Sequence, residues 1–131
     1  MMENGDAARC NPILNKAEDF AVRIVNLARH LQQKFHEHEL SNQVKRSGTS
    51  IGANVIEAHS GSSKKDFLAK TYIAFKECNE TCYWLRVLHR TKYIDDSQYD
   101  SIYSDAEELS KMLNAIIKTT KNNLESDKTN S

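Results

Sequence analysis

The chain has 131 residues and a mass of 15.0 kDa, a size that suits one domain. Lys plus Arg and Asp plus Glu balance at 18 each, so no overall field draws it to nucleic acid or to an anionic membrane. One proline and four glycines are too few for an all-β chain with many tight turns, and no apolar run reaches the length of a membrane span.

Residues 1–12, MMENGDAARCNP, are polar, lack a signal-peptide core and read as a flexible segment. Cys10, Cys78 and Cys82 form an odd set without disulfide-framework spacing, which points to a cytoplasmic protein with reduced thiols. The first helical pattern covers about 13–35. Ala17, Phe20, Ile24, Leu27, Leu31 and Phe35 recur at three- and four-residue steps. The polar HEHELS, residues 36–41, interrupts it, and Ser41 suits the N-cap of a second helix over about 42–59. The small polar segment SGSSKKD follows, where Ser63 with Asp66 resembles a capping box.

A long third helix spans about 64–91. Phe67 or Leu68, Thr71, Phe75, Cys78, Cys82, Leu85 and His89 line one face of it. The turn KYIDDS leads to a fourth helix, capped by Asp95, Asp96 or Ser97. Its Tyr99, Ile102, Ala106, Leu109, Leu113 and Ile116 keep nearly heptad spacing. The last residues, 123–131, show no apolar period and read as a disordered tail. Residues 13–122 are therefore expected to form one all-α domain, an antiparallel up-down-up-down four-helix bundle. Charge is uneven along it: residues 60–92 carry seven Lys/Arg against three Asp/Glu, and 93–123 carry three Lys against six acids.

Gly48 and Gly52 lie four apart in the second helix, although glycine costs roughly 1 kcal/mol against alanine there. Ser47, Ser50, Asn54 and Glu57 make a small polar stripe beside the seam of Val44, Gly48, Ile51, Val55 and Ala58. One explanation is that the glycines are tolerated on a partly exposed helix. The other is close packing of this helix, inside the bundle or between subunits, with its polar groups paired at the contact.

The segment QVKRSGTSIGANVIEAHSGSSKKDF resembles the signature of the four-helix-bundle family of 23S rRNA intervening-sequence proteins, structurally related to the accessory variability determinant proteins of diversity-generating retroelements. Gln43, Arg46, Ser47, Ser50, Ile51, Asn54, Val55, Glu57, Ser63 and Phe67 carry the match, and Glu80 and Leu85 extend it. Ala58 stands where the family has glycine, and Ser60-Gly61 where it has Gly-Arg. The resemblance implies an antiparallel bundle assembling as a homopentameric ring. For the retroelement members it implies binding to nucleic acid and a reverse transcriptase.

Site chemistry is sparse. A di-iron bundle needs Glu three residues before His, and none of the five histidines has one. Cys78, Cys82 and His89 share a helical face, and His36 and His38 flank Glu37; packing and a solvated loop are the expected roles. Phosphate-loop and dinucleotide fingerprints are absent. No catalytic, cofactor-binding or metal residue is assigned. The expectation is a non-catalytic, self-associating scaffold. Arg46, Ser47, Gly48, Ser50, Gly52, Asn54, Glu57 and Glu80 would form its polar network or subunit interface, and Arg46 and Asn54 would supply donors to Glu57 and Glu80. The alternative is an accessory factor that binds RNA, DNA or a reverse transcriptase, with Lys64, Lys65, Lys70, Lys76, Arg86 and Arg90 as its surface.

Overall fold

A computed structural model describes residues 11–129; residues 1–10, with Cys10, and residues 130–131 lie outside the described part. Four helices follow one another: α1 Pro12–Phe35, α2 Glu39–His59, α3 Lys64–Arg90 and α4 Asp96–Thr129. No strand occurs among the described residues.

Each boundary has a local cause. Asn11 caps α1 by accepting from the Leu14 amide at 3.4 Å, with Pro12 in the first turn. His36 closes α1 in the left-handed region at φ 53, and the Glu37 amide donates back to the Leu31 carbonyl. Helix α2 starts three residues earlier than the sequence suggested. The Glu37 carboxylate takes the Leu40 amide at 2.6 Å, so Ser41 is not the cap. It is buried inside the helix and accepts from Gln32 Nε2 at 2.7 Å. Ser63 caps α3 as expected, through the Asp66 amide at 3.1 Å. Of the three candidate caps of α4, Asp95 serves, in a reciprocal box with Gln98: Asp95 accepts from the Gln98 amide at 2.8 Å, and Gln98 accepts from the Asp95 amide at 2.9 Å. Helix α4 runs to Thr129, past the tail boundary expected at residue 123. Lys64 of α3 reaches Asp127 there at 2.6 Å and ties the last turns back to the fold.

The core takes one stripe from each helix. Phe20, Ile24 and Leu31 meet Val44 and Ile51, then Leu85 and Leu88, then Leu109 and Leu113. On α4 the buried residue after Leu113 is Ile117, not Ile116, because the stripe follows the 3.6-residue period of a straight helix rather than a strict heptad. On α3 the inward face is Thr71, Ala74, Cys78, Thr81, Cys82, Leu85 and Leu88, slightly rotated from the expected one, and Phe75 and His89 are only half-buried. Phe35 lies at the end of α1 and meets Tyr93 edge-on at 5.2 Å.

Partners between successive helices run in opposite numerical order. Gln32 meets Ser41 while Ile24 faces Gly48. Thr81 meets Ser47 while Lys70 meets Glu57. Arg86 meets Tyr103 while Lys64 meets Asp127. Helix α1 touches α4 through Lys16 with Glu108 at 2.9 Å and Arg23 with Asp105 at 2.6 Å. Burial pushes the Asp105 carboxyl up, but the Arg23 hydrogen bond and the nearby Lys16 outweigh it and hold the group below its ordinary range. Every buried side-chain N or O atom among the described residues has a hydrogen-bond partner.

Candidate functional site

The small-residue stripe of α2 divides between three environments. Gly48 is buried against α1: a Cβ placed there would lie 2.7 Å from Ile24 Cγ2 and 2.9 Å from its Cγ1. Gly52 is looser, since a Cβ would meet Ala17 at an ordinary 3.6 Å. Ser47 faces the other way, towards α3. Its hydroxyl is buried and lies 2.9 Å from Thr81 Oγ1, and it donates to the Val44 carbonyl at 3.3 Å. Ser50 and Asn54 turn back on their own helix, donating to the Arg46 and Ser50 carbonyls at 2.6 and 2.8 Å. They are half-buried and form no link between helices.

The charged part of the expected network is only partly assembled. Arg46 donates to Glu80 and, at 3.2 Å, to Glu77, joining α2 to α3. Trp84 Nε1 donates to the same Glu80 carboxylate at 3.0 Å. The Trp84 hydrogen bond leads in holding Glu80 below the usual carboxylate range. Partial burial opposes it and Arg46 assists. Glu57 is not part of this cluster. It is exposed and pairs with Lys70 at 3.4 Å, so neither Arg46 nor Asn54 serves it. The turn between the two acids explains the failure: Glu57 sits near the end of α2, opposite the start of α3, whereas Glu80 faces Arg46 halfway along.

Beside Gly52 the outer face of α1 and α2 opens into a groove of about 330 Å³ lined by Leu14, Ala21, Gly52, Ala53 and Ile56, with Asn15, Glu18 and Thr49 among them. Ile56 is 58% exposed there, and Val22, 56% exposed, lines the adjoining groove on α1 with Ala21 and Val25. Neither residue belongs to the apolar seams of the sequence. The available signal was the presence of branched aliphatic residues outside those seams, where a solvated helix face would carry longer polar side chains.

The candidate basic surface separates in the same way. Lys65, Lys76, Arg86 and Arg90 are exposed and fall on one stripe of α3, which also carries Tyr72, Asn79 and Tyr83 at three- and four-residue steps. Lys64 and Lys70 lie off that stripe, bound to Asp127 and Glu57. The Tyr72 ring has Lys76 at 5.6 Å and Lys121 of α4 at 5.9 Å from its centre. Arg86 donates to the Tyr103 hydroxyl at 2.9 Å. Among the described residues no three His, Cys, Asp or Glu side chains converge as a metal site. His89 stacks on Tyr99 and pairs with Asp96 at 2.7 Å. Among the described residues no helix is long and apolar enough to cross a membrane.

Residues 10–115 match the family described as 23S rRNA-intervening sequence protein. A solved protein of unknown function from the S23 ribosomal protein family of Bacteroides thetaiotaomicron is similar at 51% identity, over 81% of this chain and 98% of that one, with a TM-score of 0.80. No curated protein matches the chain. The match covers most of the chain, and the chain belongs to the 23S rRNA-intervening sequence protein family.

Proposed function

We propose that this chain is a non-catalytic, self-associating scaffold of the cytosol: an antiparallel up-down-up-down four-helix bundle that closes into a homopentameric ring. The observation that carries the proposal is the outer face of α1 and α2, where Ile56 lines a groove with Leu14, Ala21, Gly52 and Ala53, and Val22 is exposed in the adjoining groove that shares Ala21. Burying two such side chains is worth about 1.5–3 kcal/mol each, and another copy of the chain supplies apolar surface in repeated supply. The reversed order of partners along successive helices supports the antiparallel arrangement. The free thiols of Cys78 and Cys82 suit a reducing compartment. Ring closure at five copies follows the family resemblance. The substitutions Val22→Glu and Ile56→Glu test the face: each should lower the assembled mass in light scattering while helix content is kept. Unchanged assembly in both would exclude this face.

A second reading, an accessory factor for RNA, DNA or a reverse transcriptase, draws on one observation. The exposed α3 stripe alternates Tyr72 and Tyr83 with Lys65, Lys76, Arg86 and Arg90, and Lys121 adds a cation from α4. Rings and cations in that alternation suit stacked bases and phosphates. Fluorescence anisotropy with a labelled single strand tests it. Binding should weaken steeply with salt and with Tyr72→Ala. Absence of binding at low salt contradicts direct nucleic-acid recognition.

A further inference from the structure

Apart from Phe35, which packs on Tyr93, the exposed large apolar side chains of the described residues gather in two places. Val22 and Ile56 belong to the adjoining grooves of α1 and α2, and Tyr72, Ile73 and Tyr83 belong to α3. The α3 group is the exposed part of a second stripe. Ala69, Ile73, Lys76, Glu80, Tyr83 and Val87 follow at steps of four and three, on the side of the helix away from the buried Ala74, Cys78 and Leu85. A helix packed on one core alone would keep that side polar. The backbones of α1 and α3 lie diagonally across the bundle: each neighbours α2 and α4, and neither neighbours the other. The stripe therefore faces a different side of the molecule from the grooves.

The two patches are unlike in shape and opposite in charge. Ala21, Gly52 and Ala53 line one groove, and residues that small leave room for a ridge. The α3 stripe is a ridge of matching length: Ile73 to Tyr83 spans about 15 Å at about 1.5 Å per residue, against about 22 Å from Leu14 to Arg29 along the grooves. Glu18 lines both grooves and has no cation partner among the described residues, and Arg29 lies at the far end of the α1 groove. Lys76 lies over the Tyr72 ring and among the described residues has no carboxylate partner. We infer that the grooves of one copy take the α3 stripe of the next, head to tail, with Glu18 meeting Lys76; this rests on the self-association proposed above. Two grooves face to face would leave their small residues uncovered and bring two Glu18 carboxylates into one contact, and two stripes would do the same with Lys76. Docking the unlike faces fills the groove with Ile73 and Tyr83 and sets each charge beside its opposite.

The test mixes two variants of the full chain. One carries Val22→Glu and Ile56→Glu in the grooves, the other Ile73→Glu and Tyr83→Glu in the stripe. All four positions are exposed, and circular dichroism checks that helix content is kept. Each variant alone should sediment as a 15.0 kDa monomer. Mixed, they should form a species of twice that mass and nothing larger, because one sound groove meets one sound stripe. Glu18→Lys and Lys76→Glu should each weaken association of the otherwise unsubstituted chain about tenfold, and the two together should restore it. A monomeric unsubstituted chain would remove the self-association reading and this inference with it. An assembling chain whose groove and stripe variants stay monomeric when mixed would overturn the inference and leave self-association standing. So would a stripe variant that assembles normally and instead loses binding to a labelled single strand, which would give the α3 face to nucleic acid.

Discussion

Gly48 on α2 has its missing side chain aimed at Ile24 on α1, 2.7 Å from where Cγ2 of that residue begins. Ile24 is fully buried and β-branched, so it cannot swing aside. Gly48→Ala should therefore destabilise the fold by about 1–3 kcal/mol through overpacking. Gly52→Ala, with ordinary contact to Ala17, should be neutral or stabilise by up to about 1 kcal/mol because the helix gains from the lost glycine. Urea unfolding of the two variants checks the contrast. Equal effects would mean that the two helices do not meet as closely as described.

Ser47 and Thr81 share a buried hydroxyl contact at 2.9 Å between α2 and α3. Ser47→Ala and Thr81→Val should each cost about 1 kcal/mol, since each removes the bond between the helices while the remaining hydroxyl keeps a carbonyl of its own helix, Val44 for Ser47 and Glu77 for Thr81. The double variant should cost less than the sum. A double-mutant cycle that came out additive would deny the coupling.

Lys92, two residues past the end of α3, has φ 69, a left-handed conformation that glycine adopts without a Cβ penalty. Lys92→Gly should raise stability by about 1 kcal/mol, and thermal unfolding would detect it. A lower melting temperature would mean that the lysine side chain supplies more than its backbone costs.

Glu80 and Asp105 both have native pKa values below their ordinary 4.5 and 3.8. Each contributes stability that is present above those values and lost as pH falls through the native ones. Acidification below about pH 4 should lower the unfolding midpoint. Glu80→Gln keeps an acceptor for Trp84 but should remove its share of this slope. A slope identical to that of the unsubstituted chain would rule out the Glu80 assignment.

Much of the fold was legible because each helix carries a long apolar stripe. Ala17, Phe20 and Ile24, or Ile102, Ala106 and Leu109, locate the core from spacing alone. Ser63 capped α3 as its type and place suggested. The misses have local causes. Ser41 looked like a cap, but Glu37 reaches the first turn sooner with a longer side chain. The tail past residue 122 lacks apolar period, yet α4 continues to Thr129, where Asp127 pairs with Lys64 of α3, a contact that no local pattern encodes. The network was legible only in part. Arg46 and Glu80 meet, but Asn54 bonds to its own helix and Glu57 faces Lys70, and sequence spacing cannot say which residue of a second helix lies opposite. Val22 and Ile56 were overlooked because apolar residues off the core stripe are common on surfaces and gain meaning only when adjacent in space.

Sedimentation equilibrium of the unsubstituted chain, over a range of concentrations, bears most directly on self-association. The proposed ring predicts a single species near five times the 15.0 kDa chain mass, dissociating in Ile56→Glu. A 15.0 kDa monomer at every concentration would contradict it.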